Sequence, residues 1–181
     1  MRKEHIFDPS FSVPFVMSGK IFFDNRGSFK SLCALAGMTK INVSFSKNGV
    51  IRGMHWQISN PQDKVLSCVS GKIYDVCVDL RLRSPNFGVV YGFQLDSAHN
   101  EQLFVPKGFA HGFQAQDDNT VVTYLIRDEY NPSDEYGCRF DSIKAEWEAE
   151  DTDEWRTDHL SKKDLAWPKF CDLKPEMLPQ I

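Results

Sequence analysis

Val65-Leu66-Ser67-Cys68-Val69 runs into Ser70-Gly71 and resumes as Lys72-Ile73-Tyr74-Asp75-Val76-Cys77-Val78-Asp79-Leu80; the reading of this stretch decides the fold. Two β-prone runs on either side of a Ser-Gly turn read as a hairpin. Side chains alternate across a strand, so Ile73, Asp75, Cys77 and Asp79 share one face while Tyr74, Val76, Val78 and Leu80 share the other. The second face is a core face. The first carries two carboxylates, which either meet solvent or line a polar cavity of the kind that small ligand-holding barrels enclose.

The same rhythm continues in both directions. Ser18-Gly19, Asp24-Asn25-Arg26-Gly27, Asn48-Gly49, Ser84-Pro85-Asn86, Pro106-Lys107-Gly108 and Asp117-Asp118-Asn119 cut the chain into short runs, as in a sandwich or barrel, and an all-β core is expected. Helical signal is confined to the tail. The acidic stretch from Ser142 to Trp155 reads as a solvated surface segment, and Leu160 to Asp164 as a short helix stopped before Pro168. With 181 residues and 41% hydrophobic content, residues 1–181 form one domain with an ordinary core.

Charge excludes some functions. A net charge of −4 and a pI near 5.7, without a dense Lys/Arg stretch, do not support nucleic-acid binding. No run approaches the ~20 apolar residues that a membrane span needs. Cys33, Cys68, Cys77, Cys138 and Cys171 show neither Cys-x-x-Cys pairing nor an even count, so reduced thiols and a cytoplasmic location are expected.

The chemistry lies in two strings, Arg52-Gly53-Met54-His55-Trp56-Gln57 and Gly108-Phe109-Ala110-His111-Gly112-Phe113, each setting a histidine among apolar residues. A buried imidazole needs a partner or loses its charge, and an enzyme can use either outcome. Metal-dependent barrels commonly offer His-x-His; here the residue two after His55 is Gln57, and His111 has no neighbouring histidine. No metal site is expected. A phosphate-cradling glycine loop and a Gly-x-Ser-x-Gly turn are also absent. Acid–base chemistry without a cofactor remains.

Taken together, Asp24-Asn25-Arg26-Gly27-Ser28-Phe29, Gly49 to Gln57, Asp75 to Arg81, Ser84 to Gly88 and Pro106 to Phe113 closely resemble the dTDP-4-dehydrorhamnose 3,5-epimerases. The resemblance runs from about Phe23 to Phe170. It implies an all-β, cupin-like double-stranded β-helix or jelly-roll barrel with short C-terminal helices. It also implies a homodimeric, metal-free epimerase of a nucleoside-diphosphate 4-keto-6-deoxy sugar in rhamnose-type deoxysugar biosynthesis.

By the same resemblance His55 is the base and Asp164 its orienting carboxylate. Lys64 meets the enolate oxygen, and Tyr124 returns a proton from the opposite face. Asp75 and His111 form a second polar pair that supports the site and binds substrate, and Asn42, Gln57, Arg52 and Arg26 also bind substrate, the two arginines at the diphosphate. Arg26 and Phe29 reach a partner's pocket. Lys40 and Ser31 stand where members usually carry Gln and Glu, which leaves the nucleotide base and the sugar open. The alternative is a non-catalytic cupin-type module that binds a nucleotide sugar.

Overall fold

The computed structural model describes residues 12–25, 27–32, 37–127, 130–149 and 152–181. Twelve strands are formed among them: β1 (Phe15–Ser18), β2 (Ile21–Asp24), β3 (Gly27–Lys30), β4 (Met38–Ser46), β5 (Ile51–Gln57), β6 (Lys64–Ser70), β7 (Lys72–Asp79), β8 (Val90–Asp96), β9 (Glu101–Val105), β10 (Phe109–Ala115), β11 (Thr120–Arg127) and β12 (Glu135–Gly137). Two short helices follow, α1 (Asp153–His159) and α2 (Lys162–Ala166).

The strands make two five-stranded antiparallel sheets, a front sheet in the order β1-β9-β6-β11-β4 and a back sheet in the order β12-β5-β10-β7-β8, while β2 and β3 pair only with each other. From β4 onward the chain passes between sheets at almost every turn, which is the jelly-roll pattern expected. Inter-sheet packing is apolar: Leu66, Leu103, Val105 and Val122 of the front sheet meet Ile73, Cys77, Phe109 and Phe113 of the back one. Removing this surface from water is the main term holding the layers together.

The stretch read as a hairpin is corrected by its pairing. β6 bonds to β9 and β11 in the front sheet, whereas β7 bonds to β10 and β8 in the back one. Gly71, at φ +75°, turns the chain from one sheet to the other. A Cβ there would stand 2.6 Å from Thr120 Oγ1, so the corner requires glycine. The predicted alternation survives. Tyr74, Val76, Val78 and Leu80 are buried on the outer face of the back sheet with Met54 and Trp56. Asp75 and Asp79 face away from them and are wholly buried, not solvated.

The outer face is covered by the tail, which corrects the reading of the acidic stretch. Within residues 142–149, Ile143 is buried, and Trp147 packs edge-on against Tyr74 and Phe140, with ring centroids 5.7 and 5.8 Å apart. Gln114 clasps Glu148, donating from Nε2 to its carbonyl (2.6 Å) and accepting its N–H at Oε1 (2.8 Å). The acidic side chains point outward while the apolar ones between them seal the sheet, a division that composition alone hides. The predicted stop is seen: α2 ends at Ala166, with Trp167 as its extended C-cap just before Pro168.

Candidate active site

Register brings the two histidine strings together. On the back sheet His55 pairs directly with His111, and His111 with Cys77, so all three side chains share the face toward the front sheet. On the front sheet Tyr124 stands between Asn42 and Leu66, with Ile126 between Lys40 and Lys64. Between the sheets lies a pocket of about 400 Å³, lined from the front sheet by Lys40, Asn42, Lys64 and Tyr124 and from the back by His55, Gln57 and Glu135. The backbone bulges beside His111. Gly53 (φ +128°) lies there with no room for a side chain, since a Cβ would fall 2.4 Å from Gly112 Cα.

His55 Nε2 lies 2.5 Å from Asp164 Oδ1. An ionised carboxylate only accepts, so Nε2 carries the proton and Nδ1 is left with its lone pair. Asp164 is itself held: Ser161 Oγ donates to Oδ2 (2.8 Å) and accepts the Asp164 N–H (3.0 Å) as the N-cap of α2. Five residues do not make a helix that stands alone. α2 is seated because the Trp167 ring packs at a tilt against Tyr136 of β12, with centroids 5.1 Å apart, and fits over Gly137, where a Cβ would lie 2.5 Å from the indole nitrogen. That docking delivers Asp164 across 109 residues of sequence.

Sequence reasoning missed a second carboxylate. Glu135 Oε1 stands 3.7 Å from His55 Nδ1, and its Oε2 receives Lys163 Nζ at 2.6 Å and the Tyr130 hydroxyl. Burial pushes the Glu135 carboxyl up, but the bonds from Lys163 and Tyr130 outweigh it and hold it below the usual range. Lys163 adjoins Asp164 in the sequence, which was the only local signal. Tyr130 and Glu135 belong to no pattern, and only the pairing of β12 with β5 brings them in.

Burial lowers the Lys64 ammonium below the ordinary lysine value, opposed by the charges of Asp75 and Glu135. Burial raises the Tyr124 hydroxyl, with Glu135 adding to the effect and Arg52 opposing it, so the phenol keeps its proton at neutral pH. Behind the pocket, Asp75 Oδ2 is 2.8 Å from His111 Nε2. Burial holds the His111 imidazole below its ordinary value against the pull of Asp75, favouring the neutral ring.

The remaining predicted residues divide. Asn42 and Gln57 line the pocket, the latter donating from Nε2 to the Asn131 carbonyl at 2.7 Å. Arg52 lies beside the pocket, exposed, its guanidinium held by Ser46 Oγ (3.0 Å) and the Phe45 carbonyl (2.9 Å). Phe29 is not brought in; it sits on the β2–β3 hairpin, 65% exposed, with Phe22 and Phe23. Arg26 lies outside the described residues. Among those residues no three His, Cys, Asp or Glu side chains converge as metal ligands, and no helix is long and apolar enough to cross a membrane.

A jelly-roll sandwich whose inter-sheet pocket holds a histidine–carboxylate dyad opposite a lysine and a tyrosine has the framework of a cupin-like sugar epimerase. The family model described as dTDP-4-dehydrorhamnose 3,5-epimerase matches residues 14–172. The epimerase of that name from Mycobacterium tuberculosis is 37% identical over 174 residues, covering 88% of this chain and 85% of its own. A crystal structure of the 3,5-epimerase from Legionella pneumophila in complex with dTDP-4-keto-L-rhamnose superposes with a TM-score of 0.83 at 31% identity, covering 93% of each chain. One from Bacillus anthracis with TDP and pyrophosphate bound has a TM-score of 0.78 at 33% identity, over 88% of this chain and 95% of that one. The chain belongs to the dTDP-4-dehydrorhamnose 3,5-epimerase family and is an epimerase.

Proposed function

We propose that the chain epimerises a nucleoside-diphosphate 4-keto-6-deoxy sugar at C3, C5 or both by metal-free proton transfer, in deoxysugar biosynthesis. The observation that carries this reading is the opposition of His55 on the back sheet to Lys64 and Tyr124 on the front one across a single pocket. A C4 carbonyl acidifies its neighbouring C–H bonds. His55 Nδ1 takes one such proton, and the C–H electron pair moves into an enolate whose oxygen meets the Lys64 ammonium. Tyr124 then gives its proton to the opposite face of the carbon as the carbonyl reforms, and solvent restores both groups. Asp164 stabilises the imidazolium between these steps.

Metal-free chemistry is supported by the bonds already made at the expected ligand positions. His55 Nε2 is taken by Asp164, and the Gln57 amide nitrogen by the Asn131 carbonyl. Asn42, Gln57 and Arg52 bind the substrate, with Arg52 at the diphosphate. Incubation with dTDP-4-keto-6-deoxyglucose in D2O tests the reading. Deuterium should enter one or both carbons flanking the carbonyl, and persist after dialysis against EDTA; binding without exchange establishes the non-catalytic module instead.

We also infer a cytoplasmic homodimer. On the outer face of the front sheet, the edge strand β4 presents Ile41, Val43 and Phe45 at 64%, 51% and 71% exposure. These are three alternate positions on one side of a strand that is at the sheet edge among the described residues, a kind of surface that soluble proteins cover. The β2–β3 hairpin bares Phe22, Phe23 and Phe29, supporting a role for Phe29, with Arg26, in a partner's pocket. The free thiols of Cys68, Cys77, Cys138 and Cys171 suit a reducing compartment.

A further inference from the structure

We propose that Cys77 is a positioning residue for this epimerase: its thiol donates to Asp75 and holds that carboxylate where it orients His111. The three side chains share one face of the back sheet. Cys77 is the register partner of His111 and stands two residues from Asp75 on the same strand. Asp75 spends Oδ2 on His111 Nε2 at 2.8 Å, and Cys77 Sγ lies 3.7 Å from Oδ1, within reach for a sulfur donor. Asp75 and Cys77 are wholly buried, away from bulk solvent.

The roles follow from the donor inventory. A carboxylate accepts at both oxygens, so the thiol and Nε2–H are the donors. Burial and the charge of Asp75 push the Cys77 thiol well above its usual range, against Lys64, so the proton stays on sulfur. Two donors pin the carboxylate in one rotamer. That rotamer selects the Nε2–H tautomer of His111 and leaves Nδ1 as an acceptor. A buried cysteine is otherwise a small apolar filler, and Cys77 does pack against the inter-sheet core. The two roles differ in whether a hydroxyl can replace the thiol.

This inference rests on the epimerase reading, which wild-type exchange in D2O tests separately. The experiment compares Cys77→Ala, Cys77→Val and Cys77→Ser, measuring kcat and KM of deuterium exchange together with the 15N shifts of the His111 ring. Loss of one hydrogen bond predicts a fall of about three- to tenfold in kcat/KM for the Ala and Val variants, with recovery to within about twofold in Ser. The ring should report one tautomer in wild type and Ser, and a mixture in Ala and Val. Valine fills the site if the alanine variant does not fold. Equal activity in all four proteins, equal loss in Ser and Ala, or an unchanged tautomer in Ala and Val would overturn the proposal; the ring measurement stands even if no exchange is seen.

Discussion

Replacing Asp164 with asparagine is the sharpest probe of the proposed base. The carboxylate touches His55 Nε2 at 2.5 Å, with its side chain 7% exposed and that of His55 28%, so the pair works largely out of water. It does not line the pocket. An amide fits the same space: its oxygen accepts from Nε2, and its NH2 turns to Ser161 Oγ, which now donates to Oδ2. The tautomer is therefore kept and only the charge is lost. A hydrogen bond to a charged group contributes about 1.5–3 kcal/mol, and about 1.4 kcal/mol is tenfold in rate, so kcat should fall about 10- to 150-fold. KM should stay within about twofold. The N-cap bond from the Asp164 N–H is untouched, so the melting temperature should shift by less than the equivalent of about 1 kcal/mol. The assay is deuterium incorporation into dTDP-4-keto-6-deoxyglucose in D2O, followed by mass spectrometry at several substrate concentrations. An unchanged kcat, or a loss confined to KM, refutes the dyad.

Tyr124→Phe keeps the base and removes the acid: label exchange should continue by return to the same face, while net inversion, scored by product stereochemistry, falls at least about 100-fold. Because burial lowers the pKa of Lys64 while raising that of Tyr124, kcat/KM should decline with alkali below the ordinary lysine pKa of 10.5. In the pH profile of Lys64→Arg, which stays charged, that limb should vanish from the residual activity. Val43→Glu places a charge in the exposed β4 stripe and should convert dimer to monomer in sedimentation velocity. Burial raises the Asp79 carboxyl, but the bonds from Arg81 and Ser84 outweigh it and hold it low. Its stabilisation is thus present at neutral pH and lost as pH falls through the lowered value. Asp79→Asn should cost about 1.5–3 kcal/mol at pH 7 in denaturant unfolding, and progressively less toward pH 3.

The amino-acid order by itself determined the strands and their faces. Alternation from Ile73 to Leu80 is a local property of the extended chain and needs no partner, so Tyr74, Val76 and Val78 were legible as core, and Asp75 as set apart from them. It also supplied the candidates for the proposed chemistry, since His55 stands in a string specific enough to resemble one family and Lys64, Tyr124 and Asp164 match positions of that family. What it could not determine was pairing. Ser70-Gly71 turns the chain equally well into a hairpin or across a sandwich, and the choice depends on β9, β10 and β11, which lie far along the chain. For the same reason the tertiary structure alone decided that Ile143 and Trp147 seal the back sheet, and that Glu135 stands beside His55 with Tyr130 and Lys163 bonded to it. Burial and hydrogen bonding between distant segments are collective properties of the packed layers, and no local pattern encodes that Glu135 ends beside His55.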